Sequence, residues 1–205
     1  MQARDSNRGP IRDQTVTQSK NTSRNGQPDR LPLTVIGGYL GAGKTTLTQN
    51  LADHLGYAAF HEPVEENLYL SDFYEDMHRW GAMMQLHLLF KRFEQHQKIV
   101  WASEKGAVQD RTIYEDAEIF ATNLYKGRFI KKRDYETYME LYSTMKGALQ
   151  PPDLMIYLRC SVGAIRKRIT QRGRKSEQEI PTSYLRRLNR QYEEWIGRYN
   201  QSPVL

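Results

Sequence analysis

Cysteine is almost missing. Cys160 stands alone among 205 residues, which excludes an intrachain disulfide and points to a reducing, cytoplasmic setting. No uninterrupted apolar stretch approaches the length of a membrane span, so no membrane partner is expected. Large apolar side chains are scarce at the start of the chain, where residues 1–30 offer only Met1, Ile11 and Val16. The same segment sets Arg4, Arg8, Arg12, Lys20, Arg24 and Arg30 against Asp5, Asp13 and Asp29. It buries too little surface to offset its chain entropy and is expected to be a disordered basic tail. The lack of an apolar h-region argues against a signal peptide, and the aspartates argue against a transit peptide. Internal repeats are absent too.

What is present suffices for one domain. The chain is 39% hydrophobic and 26% charged, with a net charge of +6. That supports a continuous core over residues 31–205 and is short for two. The positive balance asks for an anionic partner, and nucleic acid, membrane surface or nucleotide phosphates all satisfy it.

The texture changes at Leu31. "LPLTVIGG" is a short β-branched run ending in glycine and reads as a buried strand. Lys44 to Leu55 repeats Leu47, Leu51 and Leu55 at helical spacing, with Gly56 at the C-cap. "YAAFH" reads as a second strand. Leu68 to Glu104 is helical, with a break expected near Arg79–Gly81. "GAVQDR" supplies a third strand, Thr112 to Gln150 further helix broken around Lys126–Arg133, and "DLMIYLR" a fourth strand. Ser161 to Arg172 and Pro181 to Tyr199 close the series as helices, the last with Leu185, Leu188, Tyr192 and Trp195 on one stripe. Apolar strands alternating with helices predict an α/β fold whose parallel sheet is covered on both faces.

Between the first strand and first helix lies "GYLGAGKTT", Gly38 to Thr46, which satisfies G-x-x-x-x-G-K-[ST]. The spacing has a physical purpose. Gly38, Gly41 and Gly43 let backbone N–H groups turn inward around a phosphate without Cβ clashes. The following helix adds its positive end, Lys44 reaches the β/γ-oxygens, and Thr45 can ligate Mg²⁺. Ala42 and Thr46 complete the ATP-binding loop. A chance glycine turn is the bland alternative, but the strand before and the helix after make it a poor one.

Three further features cluster at strand ends, where open α/β sheets bind ligands. Glu62 follows the second strand. Like charge bars it from gripping phosphate, but it can take a proton from a hydroxyl that attacks phosphorus. A solvated loop acid is the alternative. Asp110 ends the third strand within reach of a metal shared with Thr45. Arg111 can clamp the acceptor oxygen and Glu62 together, unless the two form a mere surface ion pair. "RKRITQRGRK" follows the fourth strand and places Arg166, Arg168, Arg172 and Arg174 around Gly173 as a lid, spanning about residues 166–180. Its alternatives are a solvated helix end and a nucleic-acid patch.

The ordered set "GAGKTT", "EPVEEN", "RWGAMMQ", "QDRTIYED…IFATNLY" and "RITQRGRKSEQ" resembles the deoxyribonucleoside kinase family over about Leu33 to Leu205. The resemblance implies a P-loop kinase fold, a parallel five-stranded sheet flanked by helices, and homodimers joined through helices. It implies transfer of the γ-phosphoryl group of ATP, with Mg²⁺, to a deoxynucleoside 5′-hydroxyl. By resemblance Glu62 is the general base, Arg111 positions the hydroxyl, and Asp110 serves Mg²⁺. Tyr74 and Glu177 grip the sugar, Met84 packs on the base, Gln85 reads its edge, and Arg168, Arg172 and Arg174 close the lid. Thr112 replaces the family's commoner serine. The residue chemistry agrees: the Gln85 amide offers donor and acceptor together. Arg92, two turns further along, can pair with Asp116 facing the base; in the family it resembles, that pair accompanies bases with an exocyclic amino group, which implies purine deoxynucleosides or deoxycytidine rather than thymidine. A purely structural Arg92–Asp116 pair is the competing view. The chain ends in "NQSPVL" where the family begins its fifth strand, so that strand is expected to be cut short and the adenine loop missing.

Two other functions compete. A thymidylate-type nucleotide kinase shares the P-loop but must bind an acceptor phosphate, which Glu62, Glu65 and Glu66 would repel. A non-catalytic P-loop protein that binds nucleotide or nucleic acid would use the tail and the Arg cluster. A guanine-specifying N-K-x-D motif, which a GTPase switch requires, is lacking.

Overall fold

The computed structural model describes residues 32–39, 41–62, 67–102, 105–173 and 180–205. The expected tail over 1–30 therefore lies outside the described residues, as do Glu65, Glu66, Arg174, Glu177 and part of the lid. In chain order the elements are β1 (Leu33–Gly38), α1 (Lys44–Leu55), β2 (Ala58–Phe60), α2 (Leu70–Glu75), α3 (Met77–Ala102) and β3 (Ala107–Asp110). They continue as α4 (Ile113–Glu115), a π-helical stretch (Asp116–Ala121), α5 (Thr122–Lys126), α6 (Lys132–Gly147), β4 (Leu154–Leu158), α7 (Val162–Arg172) and α8 (Thr182–Ile196).

The strands pair in the order β2-β3-β1-β4, all parallel. Central β1 is buried along its whole length. Alternation sorts its side chains to opposite faces. Leu33 and Val35 join Leu89, Ile113, Met155, Ile165 and Tyr192 on one side. Ile36 joins Val108, Ala52 and the α1 leucines Leu47 and Leu51 on the other. Because all four strands run parallel, their C-terminal ends lie at the same edge, which is where the site forms.

Two expectations need correction. The first concerns the helical break, which falls at Asp76 rather than Arg79–Gly81. The Asp76 carboxylate accepts the N–H groups of His78 (3.1 Å) and Arg79 (3.0 Å) and so starts α3 there. Gly81 lies within the helix, where a Cβ would come 3.6 Å from Ile130. The second concerns the sheet, which among the described residues has four strands and not five. Pro203–Leu205 does run parallel beside β4, with Met155 N–H on the Pro203 carbonyl and Tyr157 N–H on that of Leu205, but it forms a single bridge at Val204. The break between α5 and α6, and the α8 stripe of Leu185, Leu188, Tyr192 and Trp195, stand as expected.

Candidate active site

The P-loop supplies the anion-binding end. Gly38 has φ 139°, and a Cβ there would meet the Leu158 carbonyl at 2.7 Å, so only glycine lets β1 turn this close to β4. Gly43, at φ 98°, caps α1 and leads directly into Lys44. The buried Lys44 ammonium donates to the Tyr39 carbonyl (3.2 Å) across the loop. Burial and the nearby Arg111 charge lower its pKa, against the pull of Asp110, Glu115 and Glu62. Arg168, from α7, donates to the Gly41 and Ala42 carbonyls at 3.1 Å each.

A cavity of about 720 Å³ opens over this loop. Gly41, Gly43, Lys44, Thr45 and Thr46 form one wall, and Glu62, Asp110 and Arg111 come from the neighbouring strand ends. Tyr74, Met84, Gln85 and Arg92 reach it from α2 and α3, and Arg168 and Arg172 from α7. Three of the expected site residues sit off this wall. The N–H of Gly38 points away to Glu115, Ala42 presents its carbonyl to Arg168, and Asp116 is fully buried behind Arg92.

Thr45 Oγ1 donates to Asp110 Oδ2 at 2.7 Å, while Asp110 Oδ1 is buried with no partner among the described residues. Two hard oxygen ligands at the mouth of a phosphate loop suit Mg²⁺, which commonly takes one or two protein oxygens and fills the rest with phosphate and water. The absence of any larger acidic or histidine cluster among the described residues is therefore no objection.

The charged centre is Glu62. Arg92 Nη2 (2.5 Å) and Arg111 Nη1 (3.1 Å) both donate to its Oε1. Burial alone would raise this carboxyl; the Arg111, Arg92 and Lys44 charges outweigh it and hold the pKa down at about 2. Arg92 is itself 2% exposed and spends Nε on Asp116 Oδ2 at 3.1 Å. Burial pushes Asp116 up despite that partner. Arg111 adopts φ 67°, a left-handed backbone in a non-glycine residue, and its guanidinium lies 4.5 Å from the Phe120 ring centre. Gln85 Oε1, Arg92 Nη1 and two Arg111 nitrogens are buried without partners among the described residues, a set of polar atoms open to a ligand.

Two residues of the site escaped the sequence reading. Phe120 lines the cavity from the π-helical stretch, and nothing local marks it. Glu115 is wholly buried and accepts from Gly38, Tyr192 and Thr112. Its signal was present, since "TIYE" is a capping box at the start of α4. That motif forecasts the Thr112 contact and not the other two.

A phosphate loop, a Thr45–Asp110 pair at its mouth and an arginine-held carboxylate across one cavity define a P-loop phosphotransferase. Residues 34–205 match the deoxynucleoside kinase family. The deoxyadenosine/deoxycytidine kinase of Bacillus subtilis is 40% identical over 174 residues, covering 83% of this chain and 79% of that protein. The deoxyadenosine kinase of Lactobacillus acidophilus is 38% identical over 181 residues, covering 83% and 82%. Among solved structures, deoxyadenosine kinase from M. mycoides, with the products dCMP and a flexible dCDP bound, superposes with a TM-score of 0.75 at 34% identity, covering 84% of this chain and 89% of that one. The chain belongs to the deoxynucleoside kinase family, and its chemistry is phosphoryl transfer to a nucleoside hydroxyl. The monophosphate-kinase and non-catalytic readings fall away.

Proposed function

We propose that this protein transfers the γ-phosphoryl group of ATP to the 5′-hydroxyl of a purine deoxynucleoside or deoxycytidine. The observation that carries the proposal is Glu62, held by Arg92 and Arg111 on the wall of the cavity that also contains Lys44 and Thr45. In this reading Lys44 and the loop N–H groups hold the triphosphate, and Arg168 and Arg172, with Arg174, close charge over it. Thr45 and Asp110 would hold Mg²⁺, which would neutralise charge building on the transferred phosphoryl.

A carboxyl with a pKa of about 2 is a weak base toward a free alcohol. Phosphoryl transfer does not ask for a strong one. In a loose transition state the attacking oxygen acquires acidity only as its bond to phosphorus forms, so Glu62 takes the proton late while Arg111 steadies the oxygen. Tyr74 and Glu177 hold the sugar. Gln85, backed by the Arg92–Asp116 pair, reads an edge that mixes donor and acceptor, with Met84 and Phe120 against the ring. Relatives named for deoxyadenosine, deoxycytidine and deoxyguanosine support that preference. The exposed Met83 and Phe90, seven residues apart on α3, support a homodimer joined through helices. No helix of the described residues is long and apolar enough to cross a membrane, and the single cysteine suits the cytoplasm.

The test is a panel of the four deoxynucleosides with labelled ATP, on the full chain and on a version lacking residues 1–30. Transfer to deoxyadenosine, deoxyguanosine or deoxycytidine ahead of thymidine is expected from both. Thymidine as the preferred acceptor overturns the base assignment, and loss of activity without the tail overturns the view of residues 1–30 as dispensable.

A further inference from the structure

Glu115 is 0% exposed, yet its carboxylate is surrounded by donors from three separate parts of the chain. Oε1 accepts the Gly38 N–H at 3.1 Å and the Tyr192 hydroxyl at 3.0 Å; Oε2 accepts the Thr112 N–H at 3.1 Å. A cap needed only to start a three-residue helix has no reason to be buried, where an anion is costly unless fully partnered. The three donors explain the burial. They belong to the end of β1 where the P-loop begins, to the turn after β3, and to α8.

The turn after β3 is the one that carries Arg111 in its left-handed conformation. Its own N–H is fixed by the Ile36 carbonyl at 3.1 Å, and the next N–H is fixed by Glu115. Both flanks of a backbone position that would otherwise relax are thereby pinned. The guanidinium then leaves the turn across Phe120 and reaches Glu62. We infer that Glu115 is a positioning residue for the transfer reaction, one that holds the Arg111 turn in register with the first glycine of the phosphate loop. The inference rests on the role given to Arg111 above.

An ionised carboxylate accepts on both oxygens and carries no proton that needs a partner. Glutamine keeps the shape but offers one acceptor. Its carbonyl stays on the side with two donors, Gly38 and Tyr192, and its NH₂ group then confronts the Thr112 N–H. Glu115→Gln should therefore free the Arg111 turn and spare the phosphate loop. The expected result is a fall in kcat of about 10- to 100-fold, the scale of a misplaced reactive group, with KM for ATP changed by less than about threefold. In an Arg111→Ala background the same change should cost less than about threefold, because the residue it acts through is gone.

Wild-type kcat in Glu115→Gln, or an undiminished loss in the Arg111→Ala background, overturns the proposal. A crippled Arg111→Ala beside a fully active Glu115→Gln overturns it alone. Wild-type turnover in Arg111→Ala sinks the role of Arg111 first and this inference with it. A measurement on the unmodified protein guards against a variant that does not fold. The Thr112 amide should exchange hydrogen as slowly as the β3 amides, and exchange at the rate of an unstructured amide overturns the proposal as well.

Discussion

The two ends of the cavity are built from different material. The phosphate end is one contiguous loop, proposed to bind through backbone N–H groups and two side chains, Lys44 and Thr45, adjacent in sequence. The acceptor end is made of long charged side chains, Glu62, Arg92, Arg111 and Asp116, that arrive from β2, α3, the turn after β3 and the π-helical stretch. A backbone cradle is positioned by its own φ/ψ angles and survives most changes nearby. A charge cluster is positioned by its partners, so each member depends on the others, and removing one leaves the rest buried and unbalanced. The acceptor end should therefore be the more fragile half under side-chain mutation, and the phosphate end under backbone mutation.

Four measurements sharpen or break that contrast. Glu62→Gln should lower kcat by about 10²–10⁴-fold while the protein still folds; wild-type turnover would remove the carboxylate from the chemistry. Gly38→Ala should attack the other half through the backbone. With φ 139° and the Leu158 carbonyl 2.7 Å from the new Cβ, it should cost about 3 kcal/mol, read as a Tm lower by roughly 6–12 °C. An unchanged Tm would show that the close approach to β4 is not what demands glycine.

The third is a pH series. The folded pKa of Glu62, about 2, lies below its ordinary 4.5, so its contribution to stability is present above pH 4.5 and is lost as pH falls through the folded value. The contribution is on the order of 3 kcal/mol at neutral pH. The stability gap between wild type and Glu62→Gln should close between about pH 4.5 and 2, and a gap independent of pH in that window refutes the arginine cage. The smallest effect is expected from Asp116→Asn. It should shift the ranking of deoxynucleosides by roughly tenfold in kcat/KM, about 1.4 kcal/mol, with little change in the best rate. An unaltered ranking would make the Arg92–Asp116 pair structural only.

Much of this was legible beforehand, and the exceptions have physical causes. The four strands, the α1 cap at Gly56 and the α8 stripe follow from local periodicity and glycine placement, which act within a turn or two. The start of α3 lies at Asp76 and not near Gly81, because a carboxylate that caps two N–H groups is the stronger signal for a helix N-terminus than one glycine is for a break. Strand count could not be settled by pattern, since "SPVL" pairs with β4 through one bridge and stops there. Phe120 was invisible because a π-helical stretch shifts the face that a regular helix would present. Only one third of the hydrogen bonding of Glu115 was encoded locally.

What the amino-acid order determined unaided was the phosphate loop and the parallel framework around it. Both depend on interactions between near neighbours, and nine consecutive residues contain the loop entire. Which charges meet across the cavity was decided by the tertiary structure alone. The distances from Glu62 to two guanidiniums, and from Glu115 to three donors, are set by how sheet and helices pack. Electrostatic energy depends on those separations and on burial, and neither is a property of residue spacing along the chain.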